Sequence, residues 1–296
     1  QLFSDWIVTM AYVGSGGNHL FIQNELDPAI YGKAGATVNA RRRLAPNYTS
    51  IVDMLSVGNS SYNALQITAN KRFHHGFTVL MNYTWSKSID EGSADGSQAS
   101  NPFNIRADRG LSEFDIPQRF VTSFVWQLPG VTNHGALARW VAGGWEMNGI
   151  LTLQSGGPFS VVSGVDNSQS AINLDRANLT GDAQLSGGRS KARTLREYFN
   201  TAAFTVNPPG TFGNAGRDIL RGPGVANLDF GAIKNFQVRE RYKAQFRAES
   251  FNLFNHANFG NPNANVSSPN FGIITSTSGA AAGSPRVIQL ALKFIL

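Results

Sequence analysis

The sequence predicts an all-β fold, an antiparallel meander of about eight strands, on three observations. Apolar residues in every long run recur with a period of two, the signature of a strand with one apolar and one polar face. The connections between these runs alternate between short and long. The polar face carries more charge than a close-packed core tolerates.

In chain order, the first run places Trp6, Val8, Met10 and Tyr12 on one parity and Ile7, Thr9, Ala11 and Val13 on the other. Gly14-Ser15-Gly16-Gly17 then permits a bend or bulge before His19-Leu20-Phe21-Ile22. A second strand is expected over 62–73, with 51–57 as a forward extension; Leu65, Ile67 and Ala69 alternate with Ala64, Gln66, Thr68 and Asn70. His74-His75-Gly76 is a tight turn into the third strand, where Phe77, Val79, Met81, Tyr83 and Trp85 share a face. After a polar segment over 90–117, Phe120, Phe124, Trp126 and Leu128 share a face with Thr122 in the fourth. A glycine-containing connection, with one helical turn at 136–140, leads to the fifth, which shows Trp145, Met147, Gly149, Leu151 and Leu153. The longest stretch expected to be irregular, 157–224, precedes the sixth strand at 226–236. A turn at Gln237-Val238-Arg239-Glu240 opens the seventh, where Tyr242, Ala244, Phe246 and Ala248 oppose Lys243, Gln245, Arg247 and Glu249. The parity slips near Ser250-Phe251, which reads as a bulge. The terminal strand sets Ile288, Leu290, Leu292, Phe294 and Leu296 against Gln289, Ala291 and Lys293.

Composition narrows the environment. Charged residues are 15% of the 296, against about 25% in ordinary soluble domains. The absence of cysteine excludes disulfide scaffolds and thiolate zinc sites. The net charge of +6 and pI near 9.7 are spread along the chain, with Arg41-Arg42-Arg43 the one tight run, so nucleic acid is not an expected partner. No apolar stretch is long enough for a transmembrane helix. The opening Gln1-Leu2-Phe3-Ser4-Asp5 has neither a Met start nor a basic leader, which suggests a fragment of a longer protein.

Lys243, Gln245, Arg247 and Glu249 on consecutive inward positions would each cost several kcal/mol in a dry sandwich unless paired. Facing a water-filled lumen they cost little. Long loops on one side with short turns opposite are the pattern of outer-membrane barrels. The strands are therefore expected to be transmembrane, with the even residues of the terminal strand on lipid and Tyr83, Trp85, Trp126, Trp145 and Phe236 in interfacial girdles. Lys71, Lys87 and Lys234 share the apolar parity near strand ends, where ammonium groups can reach headgroups. About eight strands with such an interior suit part of a wide lumen, so two unpaired edges are expected, at 6–12 and 288–296. A soluble antiparallel β protein is the alternative at this point.

Several segments carry a family resemblance: Gly58-Asn59-Ser60-Ser61-Tyr62-Asn63-Ala64-Leu65-Gln66, Asn70-Lys71-Arg72-Phe73, Tyr83-Thr84-Trp85-Ser86-Lys87-Ser88, Arg109-Gly110-Leu111-Ser112-Glu113-Phe114-Asp115-Ile116-Pro117-Gln118-Arg119-Phe120, Leu153-Gln154-Ser155-Gly156-Gly157-Pro158-Phe159, Phe251-Asn252-Leu253-Phe254-Asn255-His256, and the terminal strand. In this order they resemble the C-terminal barrel region of Oar-like TonB-dependent outer-membrane transporters, over nearly the whole chain. The resemblance implies that residues 1–296 are the C-terminal portion of a barrel of about 22 strands, with the plug and a carboxypeptidase-regulatory-like N-terminal domain absent. It implies active uptake in the outer membrane of a Gram-negative bacterium, with lipid, the barrel-assembly machinery, a plug and the TonB complex as partners. Leu296 stands where such barrels usually end in Phe or Trp. A passive porin and a structural or adhesive outer-membrane barrel are the alternative functions.

The sequence offers no enzyme chemistry. His19, His74, His75, His134 and His256 lack metal-site spacing, and no nucleophile elbow, phosphate loop or zinc-protease helix occurs. Catalytic, cofactor-binding and metal residues are none. Asp115 and Arg119 are expected to pair and orient a loop against the lumen, and the inward Lys243, Gln245, Arg247 and Glu249 to line it.

Overall fold

The computed structural model describes residues 5–32, 37–45, 47–130, 135, 140–239, 242–278 and 284–295. Eight long strands form one antiparallel ladder: β1 (Trp6–Glu25), β2 (Val52–His74), β3 (Phe77–Asp90), β6 (Gln118–Gln127), β7 (Trp145–Gln154), β12 (Val225–Arg239), β13 (Tyr242–Phe251) and β14 (Val287–Ile295). The short β4 (Ser97–Gln98) and β5 (Gly110–Leu111) lie at the loop end, pairing β1 and β3. The remaining short strands and the helical turns belong to the loops. The ladder follows chain order except that β4 sits outside β1, and β1 does not pair with β14. Among the described residues the sheet is not closed, and the edges at 6–12 and on β14 have no neighbouring strand, as expected.

Register turns the alternation of single strands into a surface. Met10, Ile67, Tyr83, Phe120 and Leu153 are successive cross-strand partners from β1 to β7. At the other edge Phe236, Ala244 and Phe294 form a row, and Ala232, Ala248 and Leu290 another. All lie on the same, apolar face. Opposite it run Thr9, Gln66, Thr68, Asn82, Thr84, Thr152, Asn227 and Asn235. A one-residue slip anywhere would exchange the two faces, so the pattern itself pins the register.

The structure revises several expectations. β2 is one strand of 23 residues and β1 one of 20, so the extension at 51–57 and the body at 62–73 are continuous. Both exceed the roughly 9–11 residues a tilted strand needs to cross, and the surplus stands in the loop region. The glycine cluster does end in a bulge: the β1–β2 register shifts on both sides of Leu20, and His19 has φ 59°. No bulge exists at Ser250-Phe251. β13 stays in register with β14 through Phe251, and the strand ends because Asn252 turns to φ 52°. Ser250 simply keeps its place in the apolar row between Phe230 and Ile288.

At the opposite end the His74–Phe77 turn holds His75 at φ 50° and Gly76 at φ 79°. A Cβ on Gly76 would stand 2.5 Å from the Gln127 carbonyl oxygen, so glycine serves both the conformation and the approach of β6. Residues 136–139 and Glu240 of the other expected turns lie outside the described residues, as does Leu296.

Lys71 lies over Phe77 at 5.6 Å, and Lys87 is exposed. Lys234 departs from the expected headgroup placement. It is 3% exposed, donates to the Gly143 carbonyl and sits over Trp145 and Phe236 at 5.6 and 5.2 Å. The Gly143 carbonyl and these two rings cover its stem.

Candidate functional site

The inner face and the loops above it are where this molecule can meet a solute. On β13, Lys243, Gln245, Arg247 and Glu249 point the same way because they alternate along one strand. Their cross-strand neighbours are Gln237, Asn235, Ile233 and Gly231 on β12, and Gln289, Ala291 and Lys293 on β14. Arg247 donates to Glu249 at 2.8 Å, and Gln245 to Asn235 at 2.9 Å. Lys243 is exposed. Such half-exposed pairs contribute about 0–1 kcal/mol each, so they shape a wet wall rather than hold it up. Ile288, Leu290, Leu292 and Phe294 face the other way, each more than half exposed.

Arg119 shares the polar face but not the neighbourhood. It stands at the loop end of β6, between Thr84 and Gln154, whereas Lys243 is at the turn end of β13. Nor does it pair with Asp115. The Asp115 carboxylate, 1% exposed, accepts from the Ser88 amide at 2.6 Å and from the Arg221 guanidinium. The reason is local. Asp115 fills the gap between β5 and β6 where Ser88 would otherwise leave a strand amide unpaired, and its second oxygen then faces the long loop carrying Arg221.

That loop, with the described residues 252–278, is a folded cap rather than an irregular stretch. Within it β8 (Pro158–Phe159) pairs with β11 (Leu220–Arg221), and β9 (Asn178–Leu179) with β10 (Phe204–Thr205). A short helix α1 (Lys191–Arg196) starts at Ser190, whose hydroxyl accepts from the Arg193 amide. Phe199 lies at the centre, its ring 5.9, 5.6 and 5.2 Å from Phe159, Phe204 and Phe271. Val161, Ala177, Ala203 and Ala215 complete this buried cluster.

Buried ion pairs tie the cap to the β3–β6 loop. Arg217 reaches Asp90 at 2.6 Å, the Ser93 hydroxyl at 2.6 Å and the Asp108 carbonyl at 3.2 Å. Arg176 pairs with Asp108 at 3.1 Å and donates to the Ala107 carbonyl at 2.8 Å. Burial lowers the Arg176 pKa, an effect Asp108 opposes and Arg217 reinforces. Burial raises the Asp218 carboxyl, with nearby Asp90 adding to it against Ser160 and Arg217. Beside these groups a hollow of about 390 Å³ is lined by Glu91, Asp108, Glu113, Arg176 and Arg217 among others. Its chemistry is hydrogen bonding and charge, suited to gripping a polar solute. Among the described residues no group of three or more His, Asp or Glu could hold a metal. Sequence reasoning missed Asp90, Asp108, Arg176 and Arg217; the available signal was the run of phenylalanines in a stretch otherwise rich in Gly, Ser and Asn.

An apolar face for lipid, a polar face for water and long loops gathered at one end define a segment of barrel wall from an outer membrane. The chain belongs to the outer membrane beta barrel domain family, whose model matches residues 1–289. Among solved structures it is similar to the outer membrane transporter YddB from Escherichia coli, with a TM-score of 0.52 and 9% identity. That match covers 100% of this chain and 31% of YddB, so the chain spans about a third of that transporter's length. No curated protein matches. The protein resides in the bacterial outer membrane, with lipid as its surroundings.

Proposed function

We propose that residues 1–296 form part of the wall and the extracellular loops of a TonB-dependent transporter that takes up a polar solute actively. The observation that supports this most is the open sheet: long strands with a charged inner face and two free edges suit one sector of a wide lumen. In this reading the whole barrel has about 22 strands, and a plug supplied from outside this segment closes it. The barrel-assembly machinery inserts it, and TonB moves the plug. The segment itself carries out no catalysis. The loop cap, with its hollow at Glu91, Glu113, Arg176 and Arg217, makes the first contact with the solute, and the face bearing Arg119, Lys243, Gln245, Arg247 and Glu249 lines the path.

The competing reading is a passive porin. The test uses the full-length protein in its own outer membrane and in liposomes. Solute uptake by cells is expected to stop when TonB is deleted, and liposomes bearing the purified protein are expected not to swell in small sugars. Swelling, together with uptake indifferent to TonB, would replace the transporter by a porin.

A further inference from the structure

We propose that the outer face of β1, β2 and β3, at its loop end, is a seat for one phosphate-bearing lipid of the outer leaflet. This rests on the outer-membrane placement alone and holds for a transporter or a porin.

A hollow of about 570 Å³ opens there, lined by Tyr12, Leu65, Trp85, Lys87, Leu111 and Arg221 among others. Tyr12, Leu65 and Trp85 are successive cross-strand partners on the lipid-facing side. Lys87 stands two residues beyond Trp85, opposite Asn63. Leu111 continues that face through its pairing with Ile89. Tyr12 and Trp85 are 73% and 59% exposed, so the apolar walls of the slot are open.

One wall depends on a glycine. A Cβ on Gly14 would stand 3.1 Å from the Tyr12 hydroxyl oxygen and 3.3 Å from its ring. Without it, the phenol leans along the strand and donates to Asn63 Oδ1 at 2.5 Å.

Height sets what the slot can hold. Phe77 marks the turn end of β3, and Lys87 lies about ten residues further on, the length of one crossing. The Lys87 ammonium is thus at headgroup level and the rings below it are in the acyl region. Arg221 lines the same hollow, about one-third exposed. The one carboxylate nearby, Asp115, is already engaged by Ser88 and Arg221. The Lys87 ammonium above an apolar slot, with the Arg221–Asp115 pair beside it, complements an amphiphile with an anionic head. A free phosphate would have no use for the slot, and a soluble peptide would not reach a surface bathed in lipid.

The experiment compares full-length wild type with Lys87→Gln, Trp85→Ala and Lys71→Gln, the last altering a lysine at the opposite end of the same face. Each protein is purified from outer membranes, checked for folding by heat-modifiable gel mobility, and weighed by native mass spectrometry for retained lipopolysaccharide. Delipidated protein is then titrated with lipopolysaccharide, with and without excess inorganic phosphate. Retention of one lipid is expected in wild type and in Lys71→Gln, with affinity falling about fivefold in Lys87→Gln and further in Trp85→Ala. Equal affinity in all four proteins, an equal fall in Lys71→Gln, or displacement by inorganic phosphate would overturn the proposal. Lys87→Gln is a small change at an exposed side chain, so misfolding of Trp85→Ala leaves the test intact.

Discussion

Replacing Leu292 by arginine puts a guanidinium beside the centre of β14, on the side chain row that faces lipid. Leu292 is 58% exposed and sits across from Phe246. An arginine at the bilayer midplane of such a barrel costs about 2–4 kcal/mol, and loss of the Leu–Phe cross-strand pair adds about 0.2–1 kcal/mol. Ala291→Arg moves the same group by one residue, onto the polar face. There it meets Arg247 directly across the strands, and like charges so placed cost up to about 1 kcal/mol. The expected gap is therefore about 2 kcal/mol, or about thirtyfold in the folding equilibrium. The two penalties also differ in kind. Raising salt should shrink the Ala291→Arg penalty, which is a repulsion in water, and leave the Leu292→Arg penalty unchanged, since ions do not enter hydrocarbon. Both variants of the full-length protein would be refolded into phospholipid vesicles and titrated with urea, following tryptophan fluorescence and heat-modifiable mobility. Equal penalties, or a salt response in the wrong member of the pair, would refute the assignment of faces.

Three further outcomes are expected. Phe199→Ala removes the ring on which Phe159, Phe204 and Phe271 converge; the cap should lose about 3–5 kcal/mol, seen as rapid protease cleavage of 157–224 in intact cells while the barrel keeps its heat-modifiable mobility. Arg217→Ala leaves buried Asp90 with the Ser93 hydroxyl but no guanidinium, destabilising the cap by about 3–5 kcal/mol; hydrogen exchange at 90–110 should rise, and adding Asp90→Asn should restore part of the protection. For Asp27, burial would raise the pKa, yet amide donation from Ala45, Leu44 and Arg43 and the charge of Arg42 outweigh it and leave the group below its ordinary 3.8. Its contribution is thus complete above pH 3.8 and lost as pH falls through the lower folded value; exchange at those three amides, corrected for the intrinsic rate, should rise in that window, and Asp27→Asn should abolish the transition.

The sheet was legible because a membrane strand writes its environment into every second residue. Lipid on one side and water on the other demand opposite chemistries, and a period of two keeps them apart over ten residues or more. What alternation could not show is where a strand stops once it leaves the membrane. β1 and β2 run on past the bilayer, through the bulge at Leu20, where lipid no longer demands one apolar face, so the pattern fades at Gly14–Gly17 while the ladder continues to Glu25 and Val52. The apparent slip at Ser250-Phe251 has the same origin: at the water boundary a serine in the apolar row carries little penalty, and parity stops reporting register.

The loops were hard to read for a different reason. Their order comes from contacts distant in sequence, and period carries no trace of these. Asp115 illustrates it. Its nearest arginine in sequence is Arg119, four residues on, but β6 begins in between and turns Arg119 onto the lumenal face, where the carboxylate cannot follow. The partner arrives instead from Arg221, 106 positions away. Arg217 reaches Asp90 across 127 positions in the same way. Closing such long loops is entropically unfavourable, and an exposed ion pair worth under about 1 kcal/mol would not offset it. The pairs persist because the packing of Phe199 and its neighbours holds the cap together, placing the arginines where acids are buried against the β3–β6 loop. A hydrophobic core in an otherwise polar stretch is thus what makes the charged network possible. Phe199→Ala should accordingly loosen the Arg217–Asp90 contact, whereas Arg217→Ala should leave the phenylalanine cluster packed.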